Sequence, residues 1–147
     1  MSRKSLLILA TCGLAVALFV SAFQHVPGYM DADYYYMTGQ RLATGHGFSE
    51  MILWNYLDDP AGLPHPSHGY WMPLASLLAA AGLVFSPQSG LTFARSGFIL
   101  IAALIPPLTA SLAFSITSRR DLSLVAGFLA VFSGYYIQYF STTDTFN

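Results

Sequence analysis

Three uncharged stretches limit what this chain can become. Residues 5–23, 96–117 and 122–140 contain no Asp, Glu, Lys or Arg. As a helix, residues 6–23 just span a hydrocarbon core of about 30 Å, and the other two stretches are longer. The expected fold class is therefore an all-α membrane protein with three transmembrane helices, over about residues 6–23, 96–117 and 122–140. Composition agrees. Charged residues make up 9% of the chain and mean hydropathy is +0.53, where a soluble domain carries about 25% charged residues. A net charge of −1 offers no basic surface for nucleic acid. The whole of residues 1–147 is read as one membrane module.

Flanking charges set the expected orientation. Arg3 and Lys4 precede the first span and place the N-terminus in the cytoplasm. The rival reading is a cleaved signal peptide with Val20-Ser21-Ala22 as its small-residue site, but further spans suit an uncleaved anchor better. Cys12 is the only cysteine, so it forms no intramolecular disulfide. The apolar run before it is too short for a lipoprotein leader and continues past it. Residues 72–85 are apolar but only 14 long, with Pro73 at the start. Such a segment is expected to lie at, or dip into, the membrane face. If it does not cross, Arg119 and Arg120 in the turn 118–121 join Arg3 and Lys4 in the cytoplasm, as the positive-inside rule requires. Pro106-Pro107 is expected to kink the second span.

The outer loop 24–95 is where function is expected. Its stretch 30–73 holds five of the seven acidic residues and three of the four histidines, and long loops with such content carry function. Outer-face juxtamembrane helices are expected within it. One runs over 34–45, with Tyr35, Tyr36, Leu42 and Ala43 sharing an apolar face and Gly45 and Gly47 ending it. Residues 48–57 form a short aromatic stretch. Asp58-Asp59-Pro60-Ala61-Gly62 and residues 86–90 are turns. Trp54, Tyr56, Tyr70 and Trp71 suit an aromatic belt at the membrane interface.

Five residues are candidates for chemistry. Asp31 and Asp33 either cap a helix or act as general base or cation ligand on the outer face. Asp144 is either a solvated helix end or a second carboxylate facing the same cleft. Arg95 either snorkels to headgroups or supplies a fixed cation for a lipid phosphate. His65, with His68 three residues on, has metal-compatible spacing but lacks further ligands for zinc. A role beside a carboxylate or phosphate suits it better. The chain has no phosphate-cradling glycine loop, since Gly39, Gly45 and Gly47 lack the flanking strand and helix.

The order of these features carries a resemblance. A span is followed by Asp31 and a tyrosine-rich helix ending in Gly45-His46-Gly47-Phe48. Then come Pro64-His65-Pro66, Tyr70-Trp71-Met72-Pro73-Leu74, Arg95 at the start of a span, an inner Arg119-Arg120 turn and an outer Asp144. This resembles the N-terminal part of GT-C-type membrane glycosyltransferases. The branch is the bacterial family-39 kind, akin to protein O-mannosyltransferases and the lipid A aminoarabinose transferase. The resemblance implies transfer of a sugar, with inversion, from a polyprenyl-phosphate donor to a protein, lipid or glycan acceptor outside the bacterial inner membrane. It implies Asp31 as catalytic base. Many relatives place Glu directly after that acid; here Ala32 stands there and Asp33 follows, so both Asp31 and Asp33 are catalytic candidates. His65, Arg95 and Asp144 match the donor-phosphate and second-loop positions. Members differ in whether a divalent metal such as Mg or Mn takes part. Relatives continue for several hundred residues, so the chain is expected to be part of a longer enzyme and inactive by itself. The alternative is a non-enzymatic membrane subunit, or a degenerate paralogue, that binds a partner protein through the outer loop.

Overall fold

The structure is a computed structural model that describes residues 1–53, 62–69, 71–85 and 90–145. The expected turn at 58–62 (but for Gly62), the turn at 86–89, and Trp54, Tyr56 and Tyr70 of the aromatic belt lie outside the described residues. The chain is mostly helical and forms two compact units. One is built from Met1–His25 and Phe98–Thr142, the other from Val26–Gly97 and Thr143–Thr145.

In the first unit, α1 runs over Arg3–Ser21. Its N-cap is Ser2, whose hydroxyl accepts from the Ser5 N–H at 3.1 Å, meeting one of the helix's unpaired donors. Helix α5 covers Ser96–Thr117 and runs through Pro106 and Pro107. Neither proline can donate to the carbonyl four residues back. At this point Gly13 of α1 lets the two helices approach closely. A Cβ there would lie 3.1 Å from Pro106 Cγ and 3.4 Å from the Ala103 carbonyl oxygen. Helix α6 covers Arg120–Val131, and its Gly127 packs on Leu9 of α1 and Ala110 of α5.

The buried faces of this unit are thus largely Gly, Ala, Ser and Pro, while Leu100, Leu104, Leu108, Leu112 and Ile116 form an i, i+4 stripe more than half exposed. Water would penalise such a stripe. Lipid does not, and small residues inside with leucines outside is how helices pack in it. Two stretches, Arg3–Ser21 and Leu91–Thr117, are long and apolar enough to cross a membrane.

The expected third span, 122–140, is not one helix. Helix α6 ends after 12 residues, about 18 Å. Gly134 takes φ 62, a conformation glycine adopts at little cost, and a 3₁₀ helix follows over Gly134–Gln138. Gln24 fastens this end of the chain. Its amide nitrogen donates to the Gln138 carbonyl at 2.5 Å and its amide oxygen accepts from the Ser141 hydroxyl at 2.6 Å.

The second unit is organised on α2 (Met30–Ala43) and α3 (Leu74–Phe85). Between them stand a two-residue antiparallel pair, β1 (Ser49–Glu50) and β2 (His65–Pro66), in register Ser49↔Pro66 and Glu50↔His65. A single turn, α4 (Leu91–Ala94), leads into α5. Helix α2 starts at Met30, earlier than the sequence suggests. Its buried residues are Ala32, Tyr34, Tyr35, Thr38 and Gly39, not the expected Tyr36, Leu42 and Ala43. Gly39 decides that face, because a Cβ on it would meet Ala79 Cβ at 2.8 Å and the Ser76 carbonyl oxygen at 3.2 Å. The helix stops where expected. Gly45 takes φ 81, its N–H donates to the Leu42 carbonyl, and the His46 N–H donates to the Arg41 carbonyl, the paired bonds of a Schellman motif. Helix α3 has 12 residues, too short to cross about 30 Å of hydrocarbon.

Candidate functional site: a carboxylate pair at the start of helix α2

The backbone at the start of α2 settles how its acids are used. The N-cap position is Tyr29, without a side-chain capping bond, so Asp31 and Asp33 both lie inside the first turn. Neither is the cap the sequence allowed. Asp33 points to solvent, while Asp31 is half-buried.

The segment Thr143–Thr145 lies against this turn. The buried Thr143 hydroxyl donates to the Ala32 carbonyl at 2.8 Å. That anchor leaves Asp144 3% exposed and surrounded by donors. Tyr29 Oη donates to its Oδ2, and Oδ1 accepts from the Thr145 N–H at 2.5 Å and from the Thr145 hydroxyl at 3.2 Å.

The two carboxylates feel one another. Burial first, and the Asp144 charge second, push the Asp31 carboxyl above its ordinary value of 3.8. Tyr35 completes the cluster. Its hydroxyl is hydrogen-bonded with Thr145, and burial, then Asp144 and Asp31, push it upward. Two carboxylates in one place, one saturated with donors and the other made more basic, is the division that acid–base chemistry uses. Among the described residues no group of three or more His, Cys, Asp or Glu gathers.

Arg95 is 3% exposed and directs Nη2 to the Val26 carbonyl at 3.5 Å, in the loop leading to Tyr29. Burial rules out the snorkelling reading and leaves a cation held near the start of α2.

The structure places His65 elsewhere. Its Nδ1 lies 3.3 Å from Glu50 Oε1 and its Nε2 lies 3.1 Å from the Ile52 carbonyl oxygen. Both nitrogens face acceptors. The ring is thus joined to β1 and not to Asp31 or Asp144.

His68 does not share a site with His65 either. It packs among Tyr34, Tyr35 and Phe48. The Ser76 hydroxyl donates to the Tyr35 carbonyl at 3.2 Å, so it accepts from His68 Nε2 at 3.1 Å. Nδ1 then accepts from Ser67 Oγ at 2.8 Å. This network assigns the neutral Nε2–H tautomer, and burial pushes the His68 pKa down in the same sense.

Sequence reasoning missed Tyr29, Tyr35 and Thr145 as partners of the acids, and Glu50 as a buried acid. Glu50 is 5% exposed and hydrogen-bonded with Tyr34. Burial, ahead of the Glu50 charge, pushes that tyrosine up to about 12. One signal was available, since an isolated acid in an aromatic, apolar stretch must find partners if it folds inward. Comparison with family models, with curated proteins and with solved structures finds no match for this chain.

Proposed function

We propose that this chain is the catalytic N-terminal module of a GT-C-type membrane glycosyltransferase. It transfers a sugar from a polyprenyl-phosphate donor to an acceptor hydroxyl on the non-cytoplasmic face of the inner membrane. The observation that carries the reading is the meeting of Asp31 with Asp144 from opposite ends of the chain, which leaves Asp31 the more basic for it. The apolar stretches Arg3–Ser21 and Leu91–Thr117 support residence in the bilayer, where such a donor is found. In the proposed topology the N-terminus and Ser118 are cytoplasmic, and Asp31, His65, Arg95 and Asp144 lie outside.

The proposed step is a single displacement. The Asp31 carboxylate takes the acceptor hydroxyl proton. The acceptor oxygen attacks the anomeric carbon from the side opposite the phosphate. The sugar–phosphate C–O bond breaks, and polyprenyl phosphate leaves with the electron pair, so configuration inverts. A carboxylate whose basicity is raised suits this, and a fixed cation steadies the leaving phosphate. Arg95 is the candidate for that cation, since His65 is engaged by Glu50. Asp144 and its donors hold Tyr29 and Thr145 around the base and keep Asp31 basic.

The test uses membranes carrying the protein within its native chain, supplied with radiolabelled polyprenyl-phosphate hexoses and pentoses. Asp31→Asn is expected to lower turnover by about 10²–10⁴-fold at unchanged expression, while the solvent-facing Asp33→Asn stays near wild type. Wild-type turnover in Asp31→Asn would remove Asp31 as the base, and absence of transfer in the unaltered protein would favour the non-enzymatic subunit.

A further inference from the structure

A second feature of α2 lies at its other end, about ten residues and so about 15 Å along the helix from Asp31. A cavity of about 350 Å³ is lined there by Met37, Thr38, Arg41, Ala43, Met51 and Leu83, with Gln40, Thr44, His46 and Glu50 at its polar edge. The proposed transfer does not use it.

Its walls are mostly apolar, but two polar side chains, Thr38 and Arg41, stand among them. Thr38 is 0% exposed and its hydroxyl has no hydrogen-bond partner, an arrangement that costs free energy unless something supplies one. Arg41 Nε donates to Ser49 Oγ at 2.9 Å, which orients the guanidinium, and no carboxylate among the described residues pairs with it. Glu50, the one acid among the described residues of the cavity, has His65 Nδ1 at 3.3 Å from Oε1 and is hydrogen-bonded with Tyr34. Among the described residues, Arg41 is thus the charged group on the cavity with no opposite charge paired to it. An anion would find there an oriented guanidinium suited to bidentate contact.

We infer that this cavity binds an amphipathic anion, a phosphate or carboxylate on an aliphatic body. Its head lies on Arg41 and its body lies against Met37, Met51, Ala43 and Leu83. The volume fits a head with a short chain and lies at the small end of ligand pockets. Methionines on two sides suit a flexible chain, because the thioether adapts its shape. The same chemistry is offered by an anionic lipid in the surrounding bilayer and by a free aliphatic phosphate.

Titration calorimetry on the purified protein would test this with three probes: hexyl phosphate, inorganic phosphate and hexanol. Hexyl phosphate should bind, and each of the other two should bind at least about tenfold more weakly, because each lacks one half of the contact. Arg41→Gln should weaken hexyl phosphate about ten- to hundredfold. Met51→Trp, which keeps every charge and fills the cavity from an exposed loop position, should weaken it as well, and thermal unfolding without ligand would show that both variants fold. Equal affinity for hexyl phosphate and inorganic phosphate, or unchanged binding in both folded variants, would overturn the inference. Repeating the titration in phosphatidylcholine bilayers with and without phosphatidylglycerol distinguishes the sources. Loss of hexyl phosphate affinity in the anionic bilayer assigns the site to lipid, and unchanged affinity assigns it to a free ligand; both uphold the anion site.

Discussion

At the residue scale, the setting of Asp31 costs the fold stability. It stands in the first turn of a helix, where the backbone dipole favours a negative charge, yet burial and Asp144 raise its pKa above 3.8. The sign of the consequence follows. Between 3.8 and its raised folded value, the folded protein holds a proton that the unfolded chain releases. The stability this represents is present below 3.8 and is lost as pH rises through the folded pKa. At pH 7 the ionised carboxylate is a destabilising group, and Asn resembles its neutral form. Asp31→Asn is therefore expected to raise the urea midpoint at pH 7, with the gain vanishing below pH 3.8, while it removes transfer activity. A lower midpoint at pH 7 would show that the carboxylate stabilises the fold. The candidacy of Asp31, Arg95 and Asp144 was legible as polar residues among apolar ones. Their partners were not, because Tyr29, Tyr35 and Thr145 look like ordinary residues until the chain's two ends meet.

Elements were legible where local chemistry decides them. Uncharged length marked α1 and α5, and Gly45 marked the end of α2. Which face of α2 turns inward was not, because that depends on what packs on it. Tyr36 and Leu42 are as apolar as the residues that do face α3, but only Gly39 lets α3 come near. Two glycine replacements separate these cases. Gly39→Ala gains about 1 kcal/mol of helix propensity but drives a methyl into Ala79, 2.8 Å away. The expected net loss is about 1–2 kcal/mol, partly restored by Ala79→Gly. At Gly45 nothing lies within 4 Å, but φ is 81, so Gly45→Ala should lose about 1–2 kcal/mol through the backbone alone, with no rescue from α3. Guanidinium unfolding of the four variants measures both, and equal responses to Ala79→Gly would break the distinction. The third apolar stretch was read as one helix because it carries no charge. Absence of charge does not report a backbone break, and Ser133-Gly134 supplies one.

At the scale of the whole molecule, the proposal assigns each loop to one side of a membrane. The proposed topology makes a sharp forecast in a Cys12→Ala background. A cysteine at Ser67 should react in intact cells with a membrane-impermeant maleimide, and one at Ser118 should react only after the cells are opened. The reverse pattern would place Asp31 and His65 in the cytoplasm, away from the donor the proposal requires. Ser118 suits this test because the turn it begins is solvated. Arg119 and Asp121 there are exposed and paired at 2.5 Å, an ion pair that contributes little to stability.

The sequence by itself determined the helical character and the two stretches long and apolar enough to cross a membrane, since an uncharged run of sufficient length has few alternatives once its backbone must satisfy its own hydrogen bonds. It also marked the stretch in which polar chemistry is concentrated. Only the tertiary structure decided which of those polar residues lie near one another. It brought the segment of Asp144 to the turn that carries Asp31, gave His65 to Glu50, separated His65 from His68, and left Arg41 on a cavity with no carboxylate paired to it among the described residues. Such pairings depend on distances between residues far apart in the chain. Spacing along the chain carries no information about those distances until the helices have packed.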